Sequence, residues 1–434
     1  MRNTTPSTAP VECLAAFGAL RAGTAPDAFE IGEGCNYYPP APEIGRHLAT
    51  LLHDLAAQGS LSLYADPFRG GAKAAFAELL TTRFGVTLAA QDITFVQGGT
   101  EAISLITHHL ADAGHSLTLP LPNYYAFDQS AVRWGAPVER YYRHDGAVHH
   151  TGAGSGRRTA LVEVLPNGVT GTYYTRPDIG PDFTLLDVVF QHGAMGDPAE
   201  LERAIHDRIR DLDMARSAVI MTASKDLSLP GLRAAAIITR NPALRAHLAA
   251  DAFDRAPTAA PLASLLMVLY AAVLHVYHGP AELLGERHHV AQQIADAHGL
   301  PDLPDSRDLR RVHAHLDAMA DRLRRNAALL ADPAGPLVCP PGLTPAAGYS
   351  AFPSLGRPRT DFLAWVRECG TNGLRLSPTV VHGGTAAAWQ ALLPGQHLRV
   401  NLSESTERTA AGLQHLEAAL GRTAASEMAG AASG

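Results

Sequence analysis

The stretch SAVIMTASKDLSLPGLRAAAIITR, residues 217–240, reads as an apolar strand, a lysine-bearing turn through Pro230 and Gly231, and a second apolar strand. Strands made of continuous apolar residues are buried on both faces, which places them inside a sheet covered by helices. Working outward, the same alternation recurs. GGAKAAFAELLTTRFG is a helix ending at Gly85, ITFVQGG a short strand running into glycines, and TEAISLITHHLADAG a helix beginning at Thr100. SLTLPLPNYYAF is a strand entering a loop, and DQSAVRWG a helix closing at Gly135. PVERYYR, RTALVEVLP and FTLLDVVF supply further strands. The succession predicts an α/β fold: a mainly parallel seven-stranded sheet between helices, with ligands gathering at the carboxyl ends of the strands.

Past this region the pattern changes. Residues 255–330 are strongly helical, with SRDLRRVHAHLDAMADRLRRNAALLAD the clearest amphipathic stretch and HGLPDLPDS a break before it. From 336 a β-rich α+β arrangement follows. The expected division is an N-terminal segment (1–60) that joins a smaller domain and dimer contacts, and a large domain (61–330) with a helical insertion near 280–320. A small C-terminal domain (331–424) and a disordered tail of small residues (425–434) complete it. PLASLLMVLYAAVLHVYHG, residues 261–279, approaches membrane-span length, but its amphipathic flanks mark a buried domain helix.

Composition narrows the function. With 434 residues, 46% hydrophobic, 18% charged and a net charge of -7, the chain is an ordinary globular protein without the basic surface that nucleic acid or anionic membrane would require. Four scattered cysteines without a CxxC pair argue against a disulfide framework or zinc ribbon. Together with a first thirty residues that lack a signal-peptide core, they suggest the cytoplasm. The 21 histidines include adjacent pairs, but no HExxH or Cys/His spacing accompanies them, so no metal site is expected.

The chemistry starts with a scarcity. Of 35 lysines and arginines, only Lys73 and Lys225 are lysine. A lysine amine is readily lowered into a useful pKa range by burial or neighbouring cations, whereas arginine stays charged. Lys225 follows a strand that ends in Thr222 and Ser224, so it projects into the ligand crevice, and Arg233 lies eight residues on. An arginine beside hydroxyls suits a phosphate, and its charge helps depress the lysine pKa. The solvated strand-end lysine is the plain alternative.

SKDLSLPGLRAA resembles the lysine segment of the class I/II aminotransferases, fold-type-I enzymes dependent on pyridoxal 5'-phosphate (PLP), and the likeness extends over about residues 30–420. The resemblance implies Lys225 as the Schiff-base lysine and general base, with Thr222, Ser224 and Arg233 near the phosphate. QGGTEAI matches the family's phosphate loop: Gly98 and Gly99 let backbone N–H groups approach an anion, and Thr100 opens a helix at its positive end. PNYYAF matches the loop that lays a ring on the cofactor, with Tyr124 at the best-fitting position and Tyr125 as the alternative. Asp187 matches the carboxylate that keeps the pyridine nitrogen protonated. Arg399, in HLRVNLSES, matches the arginine that grips the substrate α-carboxylate, and Tyr37 and Tyr38, in EGCNYYPP, are candidate substrate contacts. Tyr64 sits where dimeric relatives send a tyrosine to the neighbour's cofactor phosphate, which implies a homodimer with shared sites.

Two departures stand out. The family's NPTG asparagine, a donor to the cofactor's phenolic oxygen, falls in PNGVTG, where Asn167 serves but strict register points to Gly168. The tyrosine three residues after the aspartate, a second donor to that oxygen, is Phe190. Only twenty residues separate Asn167 from Asp187, so the helix between them is shortened or absent, a form closer to the alliinase-like and tryptophan-aminotransferase-like branch. The resemblance therefore implies aminotransfer on an amino acid. The alternative is a lyase, a β- or γ-replacement enzyme, a synthase (S-adenosylmethionine-using among them), or a cyclase or oxidase of natural-product biosynthesis. Nothing acidic or basic in 33–40 or 376–385 is expected to announce the charge of the substrate side chain.

Overall fold

The structure, a computed structural model, describes residues 11–63, 66–144, 147–151, 158–173, 179–254, 261–277, 281–332, 335–340 and 342–432. An eight-stranded sheet organises it. Its spatial order is Ile93–Val96, Ala235–Ile238, Ser217–Thr222, Phe183–Asp187, Arg158–Val164, His115–Pro120, Val138–His144 and Ala147–Thr151. The four pairings from Ser217–Thr222 through to Val138–His144 are parallel. Every residue of Phe183–Asp187, Ser217–Thr222 and Ala235–Ile238 is buried, which accounts for their unbroken apolar sequence.

The opening stretch forms its two strands as read, but they pair antiparallel. A parallel return needs a crossover of a dozen or more residues, usually a helix. The link here holds only one short helical turn, Ala223–Asp226, and a 3-10 turn, Pro230–Leu232, so the chain doubles back. The eighth strand, Ala147–Thr151, was not anticipated. Its AVHHT lacks the apolar run that marks a buried strand, and it forms as the outer arm of an antiparallel hairpin with Val138–His144.

Helices cover the sheet. Arg69–Phe84 ends at Gly85 and Ala126–Trp134 at Gly135, both glycines in the left-handed conformation that stops a helix. Pro261–Tyr277, the long apolar run, is buried from Ser264 through Leu274 and receives Arg83 Nη1 on the Leu274 carbonyl at 2.8 Å. It is an interior helix, and among the described residues no helix is long and apolar enough to cross a membrane. Leu284–Ala297 follows, then the expected break, then Ser306–Leu330, which is capped by Asp305 accepting from the Asp308 N–H at 2.7 Å. Leu309, Val312, Leu316, Met319, Leu323 and Leu330 form the buried stripe of that helix.

A segment near residue 30 joins the C-terminal third of the chain. Phe29–Glu30 pairs in parallel with Leu374–Arg375, and Leu398–Asn401 lies between Ser350–Ala351 and Ser377–Pro378 in an antiparallel sheet. The last helix, Thr406–Ala432, runs through the stretch expected to be disordered: its small residues are alanine-rich, and alanine is the strongest helix former. All four cysteines are free thiols.

Candidate active site

Lys225 lies in the single turn Ala223–Asp226 that springs from the end of strand Ser217–Thr222. Asp187 ends the neighbouring parallel strand, in register with Ile220. The two thus stand at adjacent carboxyl ends on the same edge of the sheet. The Lys225 side chain is half-buried, and Nζ donates to the Gly34 carbonyl at 2.5 Å. Burial, helped by the Arg399 charge, lowers its pKa, while Cys35, Asp187 and Glu33 work the other way.

Asp187 is 5% exposed. Among the described residues its carboxylate accepts one hydrogen bond, from the Val189 N–H at 3.2 Å. Burial pushes it up to about 7 from its ordinary 3.8, against the pull of that N–H and of Lys225. A buried carboxylate so poorly satisfied is costly unless a cationic or N–H partner arrives. A folded pKa above the unfolded one means that the folded chain holds the proton more tightly. Its contribution to stability is whole below about pH 4 and is lost as pH rises towards 7. In cofactor-free protein, Asp187→Asn should therefore gain on the parent between pH 4 and pH 8 by on the order of 3–4 kcal/mol, read from urea unfolding at the two pH values. An unchanged pH dependence would show that the carboxylate is satisfied in the folded chain.

The glycine loop and Arg233 meet as the sequence implies. Gly98, at φ +88°, caps the helix Gly99–Asp112, and a Cβ there would come within 2.6 Å of Arg233 Nη2. Arg233 is held in the left-handed region, with Nη2 donating to the Gln97 carbonyl at 3.2 Å. Tyr124 reaches the same loop, its hydroxyl 3.2 Å from Thr100 Oγ1, and its ring is 4.7 Å from that of Tyr125. A helix N-terminus, a guanidinium and two hydroxyls around an open glycine turn are a donor set for a phosphate. Thr222 and Ser224 stand differently: the buried Thr222 hydroxyl donates to the Ala234 carbonyl at 2.7 Å, accepts from the Ser224 N–H at 3.2 Å, and lies 2.9 Å from Ser224 Oγ. Those hydroxyls build the turn that carries Lys225.

Arg399 is positioned by strand Leu398–Asn401, and its Nε donates to the Gly32 carbonyl at 2.7 Å. Among the described residues no carboxylate lies within ion-pair distance of the guanidinium, so its two terminal nitrogens remain available as a fork. Burial brings its pKa down to about 10. Gly34 is required beside it, since a Cβ there would lie 2.9 Å from Nη1. Tyr37 donates its hydroxyl to Glu33 and its backbone N–H to Ser403 Oγ at 2.8 Å. Tyr38 turns away to the helix Ser306–Leu330, with its ring edge-on to His315 at 4.7 Å and beneath the Arg322 guanidinium at 4.4 Å. Tyr64 lies outside the described residues.

Asn167 is buried, and most of its side chain is occupied. Oδ1 accepts from the Val169 and Thr170 N–H groups at 2.9 and 3.2 Å, and Nδ2 donates to the Pro122 carbonyl at 2.9 Å. One Nδ2 hydrogen remains. Gly168, the strict-register position, faces Phe190: a Cβ at Gly168 would sit 2.7 Å from Phe190 Cε2. The phenyl ring thus takes the room beside a missing side chain, so both departures occupy one place. Among the described residues between Asn167 and Asp187 there is no helix.

Two groups escaped sequence reading. Asp226, the residue after Lys225, is 1% exposed and accepts from Tyr270 OH at 2.5 Å and Tyr349 OH at 2.9 Å, and from the Gln191 and His192 N–H groups at 3.0 and 3.2 Å. It ties the turn of Lys225 to the loop that follows Asp187. Glu33, in the quoted EGCNYYPP, is an acidic group in the segment expected to carry none. Asn36 in the same segment donates Nδ2 to the Lys225 carbonyl at 2.8 Å. His382 brings a basic residue type to the other segment, but burial holds its pKa well down. Among the described residues no three His, Cys, Asp or Glu side chains gather as a metal site.

The family Aminotransferase class I and II matches residues 27–267, more than half of the sequence, and the chain belongs to it. It is accordingly an aminotransferase-like enzyme of a PLP-dependent family. A curated relative, the probable aminotransferase ACS12 of Arabidopsis thaliana, is 27% identical over 205 residues, which cover 41% of each chain. The chain thus aligns with about two fifths of that relative's length. Among solved structures, a double mutant of Thermus thermophilus aspartate aminotransferase superposes with a TM-score of 0.64 at 15% identity, covering 96% of this chain and 98% of that one. YbdL of Escherichia coli, for which a methionine aminotransferase function is described, gives 0.66 at 16%, covering 96% and 99%. At such identities these structures share the fold.

Proposed function

We propose that the protein binds PLP through Lys225 and transfers the amino group of an amino acid. The observation that carries this reading is the conjunction of an underpartnered buried carboxylate, Asp187, with a pKa-lowered lysine on the adjacent strand end. The donor set at Gly98, Thr100 and Arg233 lies on the same edge of the sheet and suits a phosphate. When bound, PLP supplies an aldehyde carbon for the lysine amine and a ring that draws electrons from the substrate α-carbon. Asp187 would hold a proton on the ring nitrogen, Arg399 would take the α-carboxylate, and Tyr124 would lie against the ring. Lys225 Nζ would take the α-proton, a task suited to an amine whose pKa is lowered. The working unit in this reading is a cytoplasmic homodimer. Supporting it, Leu52, Leu61 and Leu63, next to the segment of Tyr64, are 46%, 48% and 58% exposed.

One observation favours a second reading. With Phe190 against Gly168, the donors that the family aims at the phenolic oxygen are reduced to one remaining Asn167 hydrogen. That change falls where reaction type is tuned, and it suits elimination or replacement chemistry. Incubating PLP-loaded protein with a panel of amino acids separates the two. Aminotransfer yields one equivalent of keto acid per site, with the amino group retained until a keto acceptor is added. Ammonia released to solution sinks that reading and supports elimination.

A further inference from the structure

The loop from Gly32 to Asn36 is pinned between the two cations of the site. The Gly32 carbonyl accepts from Arg399 Nε at 2.7 Å and the Gly34 carbonyl from Lys225 Nζ at 2.5 Å, so Glu33 is the residue between two cation-bound carbonyls. Asn401 Nδ2 fixes the backbone further, donating to the Glu33 and Cys35 carbonyls at 2.6 Å each. The Glu33 carboxylate, half-buried, accepts from the Tyr37 hydroxyl, a neutral donor. Among the described residues no arginine or lysine lies within ion-pair distance of it. The site therefore holds one guanidinium fork without a carboxylate in ion-pair distance and, next in sequence to the glycine that anchors it, one carboxylate without a cation in ion-pair distance. Charges of opposite sign, Glu33 on the loop and Arg399 on the strand that holds it, are complementary to a ligand that carries the reverse pair.

Resting on the PLP reading above, we propose that Glu33 is a specificity-determining residue, selecting amino acids whose side chain ends in a cationic group, an ammonium or a sulfonium. Arg399 takes the α-carboxylate and Glu33 the side-chain cation. An acidic side chain meets repulsion from Glu33, and a neutral one leaves it unpaired. Consistent with this, Glu33 acts on the titration of Lys225, Cys35, Tyr37 and Arg399 alike, as a carboxylate facing the common space would.

The test is calorimetric binding to PLP-loaded protein. L-Ornithine is compared with L-norvaline, which lacks only the terminal amine; S-methylmethionine is compared with methionine; glutamate is the acidic probe. At least one cationic probe should bind about tenfold tighter than its neutral counterpart, with glutamate weaker than either, and the pair that shows it identifies ammonium or sulfonium. In Glu33→Gln that ratio should fall to near one, while Tyr37→Phe, which keeps the carboxylate, should retain it. Equal binding of each charged and neutral pair by the parent overturns the proposal. So does a Glu33→Gln loss shared equally by all probes, which would assign Glu33 to the α-ammonium common to them. Protein that takes up no PLP overturns the underlying reading too; protein that takes it up and ignores side-chain charge overturns this proposal alone.

Discussion

Lys225→Ala should bind PLP only reversibly, lose its visible colour on dialysis, and turn over amino acids at least about 10³-fold more slowly than the parent. General-base catalysis by a positioned amine is itself typically worth about 10²–10⁴, and the covalent attachment is lost as well. The structure makes this a change of chemistry more than of packing. Among the described residues Nζ has one hydrogen bond, to the Gly34 carbonyl, and that carbonyl stands at a half-buried position water can reach. Thermal stability of the cofactor-free variant should stay within about 1 kcal/mol of the parent, since no buried network loses a partner. The measurement is a pair: absorbance after exhaustive dialysis and single-turnover rate. A variant that keeps its colour through dialysis would remove Lys225 from the role assigned to it. Lys73, also half-buried, is the matched control, and Lys73→Ala should keep both colour and turnover.

Asp226→Ala should act in the opposite way, costing about 3–5 kcal/mol of folding stability. Four donors from three separate segments converge on this carboxylate: the Gln191 and His192 N–H groups, Tyr270 in the interior helix, and Tyr349. Removing it leaves buried donors unpaired, each at the cost of its full desolvation. Since whole domains are commonly stable by only about 5–15 kcal/mol, that is a large fraction. Tyr349→Phe removes one donor and should cost about 1.5–3 kcal/mol, the range for a hydrogen bond to a charged group. Urea unfolding of the cofactor-free proteins reads both. A loss below about 1 kcal/mol for Asp226→Ala would mean that water replaces the carboxylate. The alanine variant should also bind PLP more weakly, because the loop after Asp187 and the turn of Lys225 lose their common tie.

The candidate site could be proposed from the sequence because its signals are local. The single lysine after Thr222 and Ser224, the arginine eight residues on, the glycine pair opening a helix and the aspartate closing an apolar strand are short-range patterns. They can be read without knowing where the chain ends up. The packing of Tyr38 on the helix from 306 to 330 was hidden for the converse reason: which of two adjacent tyrosines meets that helix depends on residues far away in sequence. Asp226 stood beside the lysine in the opening stretch, yet its role rests on residues 34 to 123 positions distant. Glu33 was hidden likewise, since a carboxylate in a turn-rich segment looks solvated until its loop is clamped by Lys225, Arg399 and Asn401.

The alternation of buried apolar strands with amphipathic helices, and the candidacy of a lysine in a chain that writes nearly all its other cations as arginine, follow from residue type and spacing alone, because burial and helix periodicity act over a few residues. The direction of the strand after Pro230, the meeting of Gly168 with Phe190, and the clamping of the loop of Glu33 by Arg399 and Lys225 were decided by the tertiary structure. Each depends on how segments tens to hundreds of residues apart fill the same space, and close packing settles that for the chain as a whole.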